Sequence, residues 1–185
     1  MREADEPTPL RKSESAREQD EEIRIVEYEP KYQPSFKRLN EDWITRWFKM
    51  EEADYKSLDR PQEYILDRGG HILIALCDGE PVGTCALIRA DEETYELAKM
   101  SVSAEVRGKG IGFLLGQASI DKAMSLGATR LYLGSNTILE PAISLYRKLG
   151  FQEIKGATSP YERCNIQMEL ILKQSVNDMR KQKGE

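Results

Sequence analysis

Apolar residues recur at helical spacing from Gln33 onward, at Phe36, Leu39, Trp43 and Trp47, and predict a helix whose stripe packs on a sheet. Pro34 suits its first turn. Ahead of it, Ile23 and Ile25 alternate with polar residues in a short first strand over 23–28. Residues 51–58 read as a second short helix, and Asp59, Arg60 and Pro61 open a further turn that Gly69 and Gly70 close. Residues 71–77 are almost wholly apolar, Asp78-Gly79 is a two-residue hairpin signal, and residues 81–88 return as the next strand. Gly83 marks a bulge or a close approach. A polar turn at 91–93 leads to a third antiparallel strand over 94–102.

The second half changes rhythm. Ile111, Leu114, Leu115 and Ala118 define a helix that Gly127 stops, and residues 129–133 form a strand. That strand–helix–strand unit implies a parallel pair. Pro141 opens a helix that ends at Leu149-Gly150, and strands over 151–154 and 162–172 complete the pattern. Seven strands in this order describe an α+β fold, an antiparallel meander followed by a βαβαββ half.

Composition narrows the class. The chain has 185 residues, 27 Lys plus Arg against 32 Asp plus Glu, and a formal net charge of −5. An acidic chain is ill suited to nucleic acid, where binding rests on cations that displace counterions. Cys77, Cys85 and Cys164 are too scattered for a disulfide framework or a metal-ligand pair, which fits a reducing, cytoplasmic setting. No apolar run is long enough for a membrane span. Residues 1–22 are charged and poor in apolar groups, so they read as a disordered tail, residues 23–172 as one domain, and 173–185 as a polar tail.

The chemistry concentrates in Arg107-Gly108-Lys109-Gly110-Ile111-Gly112, between a strand and a helix start. Glycines leave the backbone N–H groups uncovered, and a helix N-terminus adds unpaired donors and a partial positive charge. The result is a cradle for phosphate. A nucleotide P-loop requires a lysine and a hydroxyl after the last glycine, which are missing. A dinucleotide site requires glycine where Phe113 stands and an acid ending the next strand, where Leu133-Gly134-Ser135-Asn136 stands.

The segment from Val102 to Gly112, with Arg107, Gly110 and Gly112 in an Arg/Gln-x-x-Gly-x-Gly/Ala core, resembles motif A of the GNAT N-acetyltransferase superfamily. Leu145-Tyr146 followed by Gly150-Phe151 resembles its second signature, at the family's separation. The resemblance covers residues 23–172 and implies a three-layer fold. Its seven-stranded, mostly antiparallel sheet would have a splayed central parallel pair flanked by helices. It implies acetyl-CoA as co-substrate, no metal, and an amine acceptor on a small molecule or amino acid. A protein amine, or acyl-CoA binding without catalysis, is the alternative.

The resemblance also assigns roles. Main-chain N–H groups from Arg107 to Gly112 hold the pyrophosphate, with the Arg107 and Lys109 side chains as supplements. Main-chain groups of Met100 and Val102 hold the pantetheine arm, and an N–H near Met100 serves the oxyanion. Glu96 is the expected base, on the same strand face as Ala98, Met100 and Val102 and with a raised pKa. Tyr146 is the expected acid. Asn136 contacts CoA or caps its turn, since the family's usual asparagine position holds Leu139. Trp47, Tyr55, Tyr161 and Arg163 are candidates for the acceptor pocket. Monomer and homodimer are both open.

Overall fold

The computed structural model describes residues 21–156, 159 and 161–172. The expectations for residues 1–20 and 173–185 lie outside them. The strands are β1 (Ile23–Glu27), β2 (His71–Cys77), β3 (Glu80–Arg89), β4 (Thr94–Val102), β5 (Arg130–Ser135), β6 (Gln152–Glu153) and β7 (Ile166–Ile171). The helices are α1 (Gln33–Trp47), α2 (Glu52–Asp59), α3 (Ile111–Ser125) and α4 (Glu140–Lys148). One seven-stranded sheet runs in the order β1-β2-β3-β4-β5-β7-β6. Every neighbour is antiparallel except β4 and β5.

Two cores sandwich this sheet, and the expected three layers are present. On one face Phe36 and Leu58 from α1 and α2 pack on Ile72, Ile74 and Ala86. On the other, Leu115 and Ile120 of α3 and Ile143 of α4 pack on Leu73, Leu87, Leu131 and Met168. Alternation in β2 therefore fills both faces, which explains its nearly continuous apolar run. Asp78 and Gly79 take φ of 50° and 88°, as a tight hairpin between β2 and β3 requires.

Three sequence expectations shift. The buried stripe of α1 runs through Phe36, Leu39, Asn40 and Ile44, while Trp47 is 53% exposed. Inward-facing Asn40 donates to the Thr84 hydroxyl at 3.1 Å, which rotates the tryptophans off the core. The last strand starts at Ile166 and not at 162, because residues 161–163 turn away from the sheet.

The third concerns β4. Thr84 faces Ser101 but Ala86 faces Ala98, so Cys85 is opposed by both Lys99 and Met100. This is a bulge, and Lys99 sits at φ 50°, a left-handed conformation that L side chains rarely adopt. The bulge reverses side-chain parity along the strand. Glu96 and Ala98 face α1 and α2, opposite Ile88 and Ala86, whereas Met100 and Val102 pack on the α3 core. The expected common face for all four is corrected.

Candidate active site

The parallel pairing of β4 and β5 covers only Thr94–Arg130, Tyr95–Leu131 and Glu96–Tyr132. Beyond it β5 continues with β7 as far as Ser135, and β4 continues with β3 as far as Val102. The two central strands therefore diverge, leaving the β5-side edge of β4 from Leu97 to Val102 without a neighbouring strand among the described residues.

The glycine segment lies at the end of that free edge. Arg107 N–H still bonds Ala104 O at 3.4 Å, and Leu114 N–H bonds Gly110 O at 3.1 Å. Between them, the backbone N–H groups from Gly108 to Phe113 donate to no described atom. Gly108 and Gly110 take φ of 83° and 76° with open space where a Cβ would stand. Their role is thus conformational freedom and exposure of the backbone. Gly112 differs, because it is already helical and a Cβ there would lie 3.2 Å from Leu145 Cδ2. It lets α3 approach α4. Arg107 is exposed, and Lys109 pairs with the carboxylate of Glu21.

Glu96 and Tyr146 approach the divergence from opposite faces of the sheet. Glu96 is half-buried and forms no hydrogen bond or ion pair with a described residue. Burial pushes its carboxyl up from the usual range, and nearby Lys99 pulls it back in part. Tyr146 is 9% exposed, its ring edge-on to Phe151 with centroids 6.1 Å apart. Burial raises its phenol far above the usual value, and the thiols of Cys85 and Cys164 add to the rise. Cys164 is also within electrostatic reach of Glu96. Its sulfur lies 3.0 Å from where a Cβ of residue 134 would be, so Gly134 admits that thiol beside β5.

The Asn136 side chain is taken up by its own turn. It accepts from Ile138 N–H at 3.0 Å and donates to Arg163 O at 2.7 Å. Trp47 and Tyr55 are exposed, at 53% and 48%. Tyr161 and Arg163 join them, with the guanidinium 4.6 Å from the centre of the tyrosine ring.

A buried ionic cluster completes the site, and its core was not anticipated. Asp54, fully buried at the start of α2, accepts from Lys99 Nζ at 2.7 Å and from Arg163 at 2.6 and 2.8 Å. It also caps α2 by accepting from Glu51 N–H at 3.0 Å, the second half of a capping box. Burial alone would raise Asp54, but Arg163 and Lys99 together hold it below the usual carboxylate range. Burial lowers Lys99, which Asp54 opposes. Tyr161 covers the cluster, and burial, helped by Glu96 and Asp54, pushes its phenol up to about 12. A readable sign was available: apolar residues in β4 occupy odd positions at Tyr95 and Leu97, then even ones at Ala98, Met100 and Val102. Such a change of phase marks a bulge. Among the described residues no His, Cys, Asp and Glu group is arranged to hold a metal ion.

Comparison with known proteins places this geometry in context. Residues 27–151 match the model of the acetyltransferase (GNAT) family. The N-acetylaspartate synthetase of Danio rerio is 36% identical over 99 residues, covering 53% of this chain and 35% of that protein. The chain thus spans about a third of the length of such relatives, 35% and 34% for the fish and rat proteins. A GNAT-family acetyltransferase from Staphylococcus aureus Mu50 superposes with a TM-score of 0.75 at 26% identity, covering 82% of this chain and 100% of that one. A putative acetyltransferase from Salmonella typhimurium, solved with its cofactor acetyl-CoA, gives 0.67 at 18% identity over 83% and 96%. That second likeness is one of fold.

Proposed function

The chain belongs to the acetyltransferase (GNAT) family, and from that premise we propose that it moves an acetyl group from acetyl-CoA to a primary amine of a small molecule or amino acid, by direct attack in a ternary complex. The observation that carries this reading is the row of N–H groups from Gly108 to Phe113 that have no partner among the described residues, at the end of a strand edge left open by the divergence of β4 and β5. Donors at a helix start suit a diphosphate, and an open strand edge offers amide partners to an extended arm. The likeness to N-acetylaspartate synthetases supports an amino acid as acceptor.

In this reading Gly108, Lys109, Gly110, Ile111 and Gly112 hold the pyrophosphate through their N–H groups. Arg107 and Lys109 add positive charge, and main-chain groups of Met100 and Val102 align the pantetheine arm. An N–H near Met100 faces the thioester oxygen as it gains charge. Glu96 accepts the proton that an ammonium must lose before it attacks. Its partly desolvated carboxylate, with no side-chain hydrogen bond among the described residues, is a stronger base than one in water. Tyr146 stays protonated at every physiological pH and donates to the departing sulfur. Asn136 supports the turn that carries Arg163.

Thermal denaturation with acetyl-CoA, CoA, ATP and NAD tests the cradle, and thiol release over an amine panel tests transfer. A ligand at one hundred times its Kd stabilises by about 2.7 kcal/mol, or roughly 5–10 °C in a domain of this size. Stabilisation by ATP or NAD without CoA refutes the reading. CoA binding with no thiol released on any amine would leave a binding module.

A further inference from the structure

Resting on that reading, we propose that Lys99 and Arg163 form the subsite for the acceptor's carboxylate, so that the enzyme selects an amine that also carries a carboxylate, an amino acid. The argument is a count of hydrogen-bonding capacity inside the ionic cluster. Asp54 Oδ1 accepts from Lys99 Nζ at 2.7 Å and Arg163 Nη2 at 2.8 Å, and Oδ2 from Arg163 Nη1 at 2.6 Å and Glu51 N–H at 3.0 Å. Both oxygens are then saturated, since each has two lone pairs. Glu51 Oε1 accepts from Arg163 Nη1 at 3.0 Å.

Donors remain in excess. The Lys99 side chain is 5% exposed, yet its ammonium meets one acceptor among the described residues, and its other protons meet none. Arg163, 12% exposed, likewise keeps its Nε–H and one Nη2 proton unclaimed there. Among the described residues no buried side-chain nitrogen or oxygen lacks a partner, so the unclaimed Nε of Arg163 is open to solvent, and positively charged donors with spare capacity at such an opening suit an anionic oxygen.

Glu96 shows the opposite deficiency. It is a desolvated carboxylate with no donor among the described residues, and it does not ion-pair with Lys99, three residues along the same strand. Surrounding it are Lys99, Tyr132, Tyr161 and Cys164, whose ionisation it influences. A surplus of donors beside a donorless carboxylate is the complement of one molecule bearing both an ammonium and a carboxylate. Glu96, the last β4 residue paired with β5, takes the ammonium beside the point where the two strands part, and Lys99 with Arg163 takes the carboxylate. The ring of Tyr161, 5.3 Å from Lys99 Nζ and 4.6 Å from the guanidinium, lies against both cations and shields them from solvent.

Equilibrium binding to the CoA-saturated protein, followed by calorimetry, tests this without relying on turnover. The probes are the common amino acids, their carboxamides and the matching decarboxylated amines. At least one amino acid should bind about 100-fold more tightly than its carboxamide and its amine, since leaving a buried charge unpaired costs a few kcal/mol. Lys99→Met should abolish that preference while affinity for acetyl-CoA holds. Arg163→Gln, at the more exposed end of the cluster, provides the same test if Lys99→Met does not fold. Equal binding of acid, carboxamide and amine, or no binding by any amino acid, overturns the inference. Failure to bind acetyl-CoA at all would instead overturn the transferase reading.

Discussion

Asp54→Ala probes the centre of the site and the stability of the fold together. The carboxylate is fully buried and accepts from Lys99, twice from Arg163, and from Glu51 N–H. Removing it leaves buried Lys99 without an anion and Arg163 with the Glu51 carboxylate alone, and breaking a buried pair from one side costs about 3–5 kcal/mol. Loss of the α2 cap adds about 1 kcal/mol. The sum, about 4–6 kcal/mol, is a large part of the ~5–15 kcal/mol that holds a domain folded. The melting temperature should fall by roughly 10–20 °C, at 2–4 °C per kcal/mol. Asp54→Asn keeps the volume and one capping oxygen, so it should lose less. Urea denaturation at pH 7 checks the order wild type, Asn, Ala, with the slope unchanged.

The pH dependence adds a second check on the same variant. The folded-state pKa of Asp54 is lowered, so its contribution is complete above the unfolded value near 3.9 and vanishes as pH falls through the folded one. The gap between wild type and Asp54→Ala should therefore close in acid. It should also narrow in alkali, because a buried lysine of lowered pKa sheds its proton and its penalty there, more so without its counterion. An Ala variant that melts within 3 °C of wild type would refute the idea of a buried, mutually dependent cluster; so would a gap that widens below about pH 4.

Three further outcomes follow from the geometry. Tyr146→Phe removes the proposed acid but keeps the ring against Phe151, so kcat should fall by about 10²-fold with acetyl-CoA affinity unchanged; an unaltered rate removes the role. Glu96→Gln should lower kcat by a similar ~10² factor and abolish the acid limb of the kcat/KM profile. In the wild type that limb should lie above the ordinary glutamate range, since burial raises Glu96 and the base works only once ionised. Gly70→Ala would set a Cβ 2.6 Å from Leu87 O and 2.8 Å from Ile65 O. Backbone atoms on both sides cannot yield cheaply, so the variant should lose about 2–3 kcal/mol in urea denaturation despite its distance from the site.

How much of this was legible depended on the range of the interactions. Strand β2, the Asp78-Gly79 hairpin and the glycine segment before α3 follow from local pattern, and all lie where that pattern puts them. The ionic cluster is different. Asp54 reads as one more acid in a polar helix, and its burial is set by Lys99, 45 positions away, and Arg163, 109 away. Nothing local marks a residue whose charged partners arrive from two separate elements. Lys99 is harder still, because alternation counts it as solvent-facing or core according to a phase that changes at its own position. Only the switch of apolar parity between Leu97 and Met100 betrays it.

In the proposed reading, that bulge lets one strand present the base on one face and pack against α3 on the other. With unbroken alternation, the Glu96 and Met100 side chains would share a face. With two residues opposite Cys85, β4 offers Glu96 to the α1 and α2 face and Met100 and Val102 to the α3 face. The conformation at Lys99 is unfavourable for a non-glycine residue, and it is held from two directions. Thr84 Oγ1 donates to Lys99 O at 2.8 Å, and Asp54 holds the ammonium at 2.7 Å. In the proposed reading, the donor end of the reaction depends on α3 and its glycine segment, and the acceptor end on α2 and the loop carrying Arg163. Substitutions in that loop should then change which amine is accepted without changing how acetyl-CoA is held, because the two sets of contacts meet only where β4 and β5 part.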